Sequence, residues 1–536
     1  MRMMGAESVA YHRETVLGRA DDHPGAALAY YAGRGETPLR WGGAGAERFG
    51  LIGIVEDEAY EAIFGPGGAL DPAFGVRLAA TKRPGMELIV AAHKSVALLG
   101  LIGRADDMHD LLDAEREATL TYLDELTRWQ GGRRGRAAVA TPTTGLLYAH
   151  TRHATSRAGD PAPHDHVLIA NLVEMLDEQG GWKAADTALW REHLHAATAY
   201  GRMAAARRAV DLGYAIEPDS GVSGRLGHWR IAGVPVEAEE LFSKRTAEID
   251  GAMAEAGWDS YRARGVAART TRQAKRHTRV EDLMVRWRAE LAGIGLDPVD
   301  LLRGVEHASA EREAPGSVLT RHKQDELVAA LLAGDGPLAR RKVFSRRDVV
   351  VAAAPWVYGR DPAELDRIVN VVLADTEVVP LVGVAGASER AYACASVIAV
   401  ESVIAAKVAD GLARTASAVV AADLVDAAID SKEAELGRPL THGQAQAVIG
   451  VCGSGRQVDL VVGVAGSGKT TALACVRDAY QAAGYRVRRH PARPPAPSAE
   501  GPASTSPAPW PRSSGASTTA ASPSTPAPSS SSTSPE

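Results

Sequence analysis

Three histidines lie within one short segment, HATSRAGDPAPHDH, although the chain of 536 residues contains only 16 histidines. Apolar runs flank the segment and turn-forming residues fill its centre, which predicts an antiparallel hairpin whose turn lies near Gly159. In that register His164 and His166 share one face, and His153 reaches it from the neighbouring strand, whereas His150 has the opposite parity and faces away. Three imidazoles that leave coordination positions open are typical of a catalytic metal site. The alternative is a surface turn with incidental histidines.

The stretches around the hairpin predict the elements that would support it. MELIVAAHKSV begins with the pattern of a strand and becomes helical near Lys94, and residues 107–129 have the apolar period of a surface helix. Residues 310–435 are rich in Ala, Leu and Val with a helical period, which predicts a helical region. The apolar stretch 393–408 contains Glu401 and Lys407, so it predicts a buried helix.

Composition excludes several classes of protein. The three cysteines lie far apart, which argues against a disulfide framework and for a reducing cytosol. No run of about 18 apolar residues occurs, so we expect a cytoplasmic protein without stable membrane insertion. Residues 491–536 hold 12 of the 29 prolines together with many serines and alanines, which predicts a disordered tail.

The hairpin and three other stretches of the chain resemble sequence blocks of one known family, in the same order along the sequence. The spacing of Thr155, Arg157, Asp160 and the three histidines resembles the metal-binding motif of MobF-type (TrwC/TraI-like) conjugative relaxases. Three further stretches resemble other blocks of that family, so the resemblance spans residues 4–300: YYAGRGETPLRWGGAGAERFGLIG, MELIVAAHKSV and WRIAGVPVEAEELFSKRTAEID. The resemblance implies an α+β fold, a relaxase palm whose antiparallel sheet is flanked by helices.

The resemblance also implies a reaction, which is site- and strand-specific nicking of plasmid DNA at a transfer origin. A tyrosine attacks the scissile phosphate and stays attached to the 5′ phosphate, and the covalent bond is kept for rejoining. A divalent metal, Mg²⁺ or Mn²⁺, is expected on His153, His164 and His166, where it can polarise the phosphate. The expected partners are single-stranded plasmid origin DNA, relaxosome accessory proteins and a conjugative coupling protein.

Four further candidate residues follow from the resemblance, and the motif shows one departure. Tyr11 occupies the place of the principal nucleophile and is the first candidate, and Tyr30 or Tyr31, which match the second tyrosine cluster, come next. Each is alternatively an ordinary core or surface tyrosine. Glu87 stands where the family has an aspartate that orients a metal-binding histidine; the alternative is an exposed glutamate at a strand end. Asp165 departs from the apolar residue or threonine often found between the last two histidines.

Two basic stretches predict DNA contacts. Residues 262–288 contain nine Lys or Arg, with acidic residues only at Glu281 and Asp282, and RWQGGRRGR places arginines beside Trp129. Such stretches suit phosphate binding and base stacking, although a solvated basic face is the alternative. The residues predicted to bind DNA are Arg133, Arg134, Arg136, Arg157, Arg264, Arg272, Lys275 and Arg276.

A second chemical motif lies near the end of the chain. Residues 463–470 satisfy G-x-x-x-x-G-K-[ST] between a predicted strand and a predicted helix, the context of a phosphate-binding loop. LTHGQAQAV upstream resembles the adenine-reading glutamine motif of superfamily 1 helicases. ATP with Mg²⁺ is therefore the second cofactor that we consider. The predicted nucleotide-binding residues are Gln444, Gly463, Gly466, Gly468, Lys469 and Thr470.

These observations predict four regions. They are a relaxase (nickase) domain at 1–300, a helical connector or helicase N-terminal region at 301–435, a P-loop helicase fragment of α/β type at 436–490, and the disordered tail at 491–536. The sequence after GYRVRR contains no second acidic strand, arginine finger or second motor lobe, so helicase activity is not expected. A frameshift near residue 489 is our hypothesis for the abrupt change of composition.

Two other functions stay open at this point. One is an ATP-dependent helicase or ATPase remnant whose N-terminal region only docks DNA. The other is a non-catalytic origin-binding protein in which the histidines are structural.

Overall fold

The structure is a computed structural model. It describes residues 2–4, 37–65, 68–79, 83–131, 139–176, 180–219, 227–258, 260–271, 280–311, 316, 318–383, 389–415, 418–464 and 466–488. The chain divides into two compact units, Met1–Ala395 and Ser396–Glu536. In the part of the chain that is described, no helix is both long and apolar enough to cross a bilayer.

The described residues form strands β1 to β16. Their bounds are Arg2–Met3, Arg40–Gly42, Ala69–Leu70, Arg77–Ala79, Gly85–Ala91, Arg128–Gly131, Val139–Pro142, Tyr148–Thr155, Pro161–Ala170, Val173–Glu174, Trp182–Lys183, Ile216–Pro218, Trp229–Ile231, Phe344–Ser345, Val378–Pro380 and Ala391–Cys394.

Helices α1 to α17 surround these strands. Their bounds are Ala44–Glu47, Asp57–Phe64, Lys94–Leu99, Ala105–Glu125, Thr187–Asp211, Val236–Leu241, Lys244–Glu255, Tyr261–Thr270, Val280–Gly293, Pro298–Glu311, Arg321–Leu332, Arg346–Ala353, Pro362–Leu373, Ala395–Ala413, Ala422–Leu436, His442–Ser454 and Lys469–Ala482. Two short 3₁₀ helices, Gly100–Ile102 and Ala354–Trp356, complete the set.

The central element of the first unit is a five-stranded antiparallel sheet in the order β1-β5-β9-β8-β2. It confirms the α+β class that the sequence predicts, as well as the strand-to-helix change at Lys94 and the long helix α4. The predicted hairpin is also present, with β8 paired to β9 and His153 directly opposite His164.

Alternate residues of β9 serve opposite faces of this sheet. Val167 and Ile169 lie in the core that the sheet forms with α4 and α5. Leu168 and Ala170 lie on the other face, in a core that includes the aromatic residues of α2. Because both faces of β9 are buried at this end, the register of the strand is strongly specified. The parity of the histidines near its start is therefore set by packing farther along the same strand.

Residues 321–394 differ from the predicted helical region. Helix α11, strand β14, helices α12 and α13 and the pair β15–β16 follow one another, with the three strands in the order β14-β16-β15. This is the arrangement of a winged helix. The strands are only two to four residues long, so their pattern is hidden within the apolar helical period. The segment packs on α5, where Tyr200 donates a hydrogen bond to Asp366 at 2.7 Å.

The second unit corrects two predictions. Helix α14 forms, but it is not a buried helix, since Val400, Val403 and Ile404 are all more than half exposed. The apolar stretch before the phosphate-binding loop forms no strand, although residues 458–464 are described. Leucine and valine side chains in that stretch are exposed because the described residues of the unit supply no strands beside it.

Candidate metal centre

The three histidines of the hairpin converge on one face of the sheet. Each of His153, His164 and His166 offers a ring nitrogen, and these three atoms lie within 4.8 Å of one another. The ring centroids are 4.6 to 5.3 Å apart. Among the residues that the structure describes, this is the one group of three or more His, Cys, Asp or Glu that meets the distance. His150 lies opposite Val167 on the other face of the sheet.

Hydrogen-bond partners define how two of these rings are presented. His166 Nδ1 lies 2.7 Å from Glu87 Oε1, and the Glu87 side chain is fully buried. His164 Nδ1 lies 2.7 Å from the carbonyl oxygen of Ala162. A neutral imidazole that donates from Nδ1 carries its lone pair at Nε2, which is the form that binds a metal.

The donor set fits a divalent cation. Three imidazoles from two strands, one of them backed by a buried carboxylate, are an arrangement found in metal sites with positions left for water or substrate. The direct cross-strand partner of His166 is Ile89, and Glu87 lies two residues away on β5, so it is a diagonal neighbour of that histidine. A glutamate side chain is long enough to cover this diagonal distance. The diagonal placement of Glu87 is thus bridged by its extra methylene.

Three elements hold the turn that joins the two histidine strands. Trp287 of α9 donates from Nε1 to the carbonyl oxygen of Gly159 at 2.8 Å, and Lys94 donates to the carbonyl oxygen of Pro161 at 2.7 Å. The buried carboxylate of Asp160 accepts from the backbone N–H of Lys244 at 3.1 Å, and the Lys244 ammonium lies 3.1 Å away. Burial raises the pKa of Asp160. The turn is therefore positioned from outside the hairpin.

The face behind the histidines carries an ion-pair cluster that the sequence reasoning missed. Asp165 is fully buried and contacts Arg152 at 2.7 and 2.8 Å and Arg116 at 2.9 Å. Arg152 is the direct cross-strand partner of Asp165. The signal was present in the predicted hairpin, since a register that pairs His153 with His164 also pairs an arginine with this aspartate.

The three tyrosine candidates, Tyr11, Tyr30 and Tyr31, lie outside the described residues. The chain on either side of them is described and is anchored at opposite edges of the sheet. Met4 donates from its backbone N–H to the carbonyl of Gly85, the first residue of β5, and Thr37 donates from its backbone N–H to the carbonyl of Arg152 on β8.

Two of the predicted DNA-binding residues are described. Arg157 lies in the turn of the histidine hairpin, and Arg264 on α8 pairs with Asp250. The other six lie outside the described residues: Arg133, Arg134, Arg136, Arg272, Lys275 and Arg276.

The predicted nucleotide-binding residues are neighbours in the second unit. Gln444 donates from Nε2 to the carbonyl of Ser467 at 3.0 Å, within the 463–470 loop. Gly468 has a φ of +78°, a left-handed conformation that favours glycine, and a Cβ there would also displace the end of the Gln444 side chain. Lys469 begins α17 and donates to the carbonyls of Gly463 and Val464 at 2.8 and 2.9 Å. Gly466 also has positive φ, and Thr470 follows in the first turn of the helix.

Comparison with known proteins identifies the class to which this fold and site belong. The profile of the family described as TrwC relaxase matches residues 6–294, and that of the AAA domain family matches residues 439–500. Because the first match covers more than half of the chain, the chain belongs to the TrwC relaxase family.

The chain is also similar to individual proteins. The chain is 30% identical over 355 residues to the multifunctional conjugation protein TraI of Escherichia coli, covering 61% of this chain and 19% of the relative. For TraI of strain K12 the identity is 30% over 291 residues, with 51% and 16% covered. The chain thus spans less than a fifth of the length of these relatives. A solved structure of the conjugative relaxase TrwC in complex with oriT DNA is 26% identical, with a TM-score of 0.43, covering 51% of this chain and 95% of that one.

Proposed function

We propose that this chain nicks plasmid DNA at a transfer origin through a covalent tyrosine intermediate, with a divalent metal held by the three histidines. The observation that carries the proposal is the convergence of His153, His164 and His166 beside Glu87 in a member of the TrwC relaxase family. The relatives named above are conjugation proteins, which supports a role in DNA transfer, and the substrate that we propose is single-stranded origin DNA. Mg²⁺ or Mn²⁺ suits the reaction because both bind phosphate oxygens.

The residues of the site divide the work. A bound cation would polarise the scissile phosphate and neutralise the charge that develops there. The histidines hold that position, and Glu87 keeps the ring of His166 in the orientation and tautomer that present its other nitrogen. The tyrosine hydroxyl gives up its proton as its oxygen forms a bond to phosphorus. The bond from phosphorus to the 3′ oxygen breaks, and one proton goes to that oxygen, which leaves as a hydroxyl. The 5′ phosphate stays on the tyrosine.

Chain length supports Tyr11 as nucleophile and also allows Tyr30 or Tyr31. Tyr11 follows Met4 by seven residues, and Tyr30 precedes Thr37 by seven. An extended chain spans up to about 3.5 Å per residue, so either tether reaches about 25 Å. The strand β9 is two strand spacings, about 10 Å, from either edge of the sheet. Met4 is level with Ala170, which is four residues, or about 14 Å, along β9 from His166, so the span from Met4 is about 17 Å and still within reach. We assign the role to Tyr11 because it occupies the place of the family's principal nucleophile.

Basic residues would guide the DNA strand to the metal centre. Arg157 lies in the turn of the hairpin itself, and α8 and α9 flank the most basic stretch of the sequence. Lysine and arginine side chains bind phosphates regardless of base sequence, so this contribution falls steeply with salt. The remaining predicted DNA-binding residues, from Arg133 to Arg276, belong to the same proposal.

The other regions take more limited roles in the proposal. We assign residues 1–300 to the relaxase domain, 301–435 to a connector, 436–490 to a P-loop helicase fragment and 491–536 to a tail. The loop around Lys469 would bind the phosphates of ATP with Mg²⁺, without helicase activity. The relatives above are named as conjugation proteins. For this chain we further propose a cytoplasmic role, with relaxosome accessory proteins and a coupling protein as partners.

The test is the capture of the covalent intermediate. Single-stranded oligonucleotides that tile the DNA flanking the gene are incubated with the full chain and Mn²⁺, and adducts are separated on denaturing gels. We expect one adduct on one oligonucleotide, with the 5′ phosphate attached to Tyr11 by peptide mass mapping, and its loss in Tyr11→Phe. An adduct that survives in Tyr11→Phe and disappears in Tyr30→Phe or Tyr31→Phe moves the nucleophile. The absence of any adduct from all tiles contradicts the nickase.

A further inference from the structure

The hairpin carries a second set of paired side chains on the face opposite the histidines. Cross-strand partners follow one another in the order Thr151 with His166, Arg152 with Asp165, and His153 with His164. Side chains alternate between the two faces of a strand. The pair formed by Arg152 and Asp165 therefore lies on the opposite face of the hairpin from the metal centre. Along the strands, it is between the cross-strand pairs that contain the histidines.

One carboxylate in this set links three elements. Asp165 Oδ1 accepts from Arg152 Nε at 2.7 Å, and Oδ2 accepts from Arg152 Nη2 at 2.8 Å and from Arg116 Nη1 at 2.9 Å. Arg152 belongs to β8, Asp165 to β9 and Arg116 to α4. The two-point contact with Arg152 is the planar fork that only arginine makes, so it constrains direction as well as distance.

The surrounding charges make the set self-contained. Asp113 on α4 accepts from Arg152 Nη2 at 2.8 Å and also pairs with Arg116. His109, one helical turn earlier, lies 3.0 Å from Arg152 Nη1. Two guanidinium groups thus meet the carboxylates of Asp113 and Asp165, with a longer contact of 3.4 Å from Arg116 to Glu117, and both arginines are at least nine-tenths buried. Such a cluster is held tightly because removing one charge leaves the others buried without compensation.

We infer that Arg116, Arg152 and Asp165, the arginine clamp, position the metal-binding histidines. A slip of one residue between β8 and β9 would separate Arg152 from Asp165 and turn the histidines to the other face. The packing farther along β9 sets its register, and the clamp adds to it at the histidine end, where it holds the strand at Asp165, between His164 and His166. These are positioning residues, because none of them reaches the metal face. The inference rests on the proposed metal centre.

A buried ion pair elsewhere in the same unit provides a matched control. Glu239 on α6 accepts from Arg230 on β13 at 2.6 and 2.9 Å, and both residues are about as buried as the clamp. Substitution of either carboxylate by its amide keeps the size of the side chain and removes the charge. A general loss of stability would affect Asp165→Asn and Glu239→Gln alike, whereas a loss of histidine geometry would be confined to Asp165→Asn.

The experiment measures metal binding by the full chain at a temperature at which near-ultraviolet circular dichroism shows each variant folded. Mn²⁺ affinity is followed by electron paramagnetic resonance, and Co²⁺ coordination by visible absorption. We expect Asp165→Asn to raise the Kd for Mn²⁺ about tenfold or more, the effect of losing an outer-shell partner, and to change the Co²⁺ bands. Glu239→Gln should stay within about twofold of the wild type with unchanged bands.

Arg152→Lys extends the test if Asp165→Asn does not fold. Lysine keeps the positive charge but loses the planar fork, and we expect a smaller rise in Kd of about threefold or more with altered Co²⁺ bands. Wild-type affinity and bands in a folded Asp165→Asn or Arg152→Lys chain would overturn the arginine clamp and leave the metal centre standing. A wild-type chain that binds neither ion would overturn the metal centre, and the clamp's role with it.

Discussion

The histidine hairpin and the phosphate-binding loop both follow a family motif, yet they differ in what surrounds the motif. Strand β9 is buried on both faces beyond the histidines, and Val167 and Ile169 are fully buried. The stretch before the 463–470 loop has a similar apolar composition, but Leu460 is 53% and Val462 94% exposed. Sheet neighbours on both sides make the first a strand, and the described part of the second unit supplies none.

The difference shows that a motif supplies the functional groups of a site, whereas contacts with the rest of the fold hold those groups in place. At the hairpin, side chains or backbone groups from four other elements hold the histidine strands and their turn; they belong to Glu87, Trp287, Lys244 and Arg116. At the loop, Lys469 donates to carbonyls of its own loop, and Gln444 is the described contact from another helix. A site with supporting hydrogen bonds is preorganised for its ligand, whereas a self-bonded loop must first rearrange.

The largest effect is expected at the histidines. His164→Ala removes one of three ring nitrogens, and we expect nicking of origin DNA to slow by about a thousandfold. His150→Ala, on the same hairpin but facing away, is the control and should retain nicking within about threefold, because its partner Val167 lies on the opposite face. Single-turnover assays on a labelled oligonucleotide measure both. Comparable losses in the two variants would show that the hairpin, and not the metal face, is being tested.

Substitution of Glu87, whose carboxylate contacts His166, should have a smaller effect than loss of a histidine. Glu87→Gln keeps the shape but weakens the hydrogen bond to Nδ1, and we expect the Mn²⁺ affinity to fall about 10- to 100-fold. Glu87→Asp shortens the side chain by one methylene and should fall between the wild type and Glu87→Gln if the diagonal reach matters. Isothermal titration calorimetry provides the affinities. Unchanged binding in Glu87→Gln would remove this residue from the metal centre.

The packing of β9 and of the stretch before the 463–470 loop can be compared by replacing one valine with alanine in each. Val167→Ala removes two methyl groups from the core, and we expect the free energy of unfolding to fall by about 2 kcal/mol. Val462→Ala should change it by less than about 0.5 kcal/mol because that side chain is in water. Urea denaturation of the full chain, followed by fluorescence, measures both. A cost at Val462 as large as that at Val167 would mean that the stretch is packed in solution.

The smallest effect is a pH dependence from His150. Burial, with Arg116 nearby, lowers the pKa of His150 from its ordinary value of 6.5 to about 4. Since the unfolded chain takes up this proton near pH 6.5 and the folded chain only near pH 4, the free energy of unfolding falls as the pH drops through that window. We expect a loss of about 1 kcal/mol between pH 7 and pH 5.5 that is absent in His150→Gln. Identical pH profiles for the two proteins would contradict the shift.

Much of the metal site could be predicted from residue types because a hairpin is a local structure. The pairing of His153 with His164 and the orientation of His150 follow from strand parity and a turn of known centre. The sequence could also place Glu87 by its position in a family block. Arg116 could not be found this way, because its contact with Asp165 depends on where α4 packs against the sheet.

The predictions that were wrong concern burial by other elements. The apolar composition of α14 predicts a buried helix, but the exposed valines show that composition states what could be buried, not what covers it. The strands of the winged helix at 344–394 are too short to show an alternation of their own. The stretch at 458–464 has the composition of a strand, and only neighbouring strands would make it one.

The most direct test of the central claim is to count the imidazoles on a bound Mn²⁺ ion. Electron spin-echo modulation of the full chain with one equivalent of Mn²⁺ detects each coordinated ring nitrogen. The account predicts three imidazoles in the wild type, two in each of His153→Ala, His164→Ala and His166→Ala, and three in His150→Ala. A wild-type spectrum without histidine nitrogen, or one that the three substitutions leave unchanged, would contradict the metal centre.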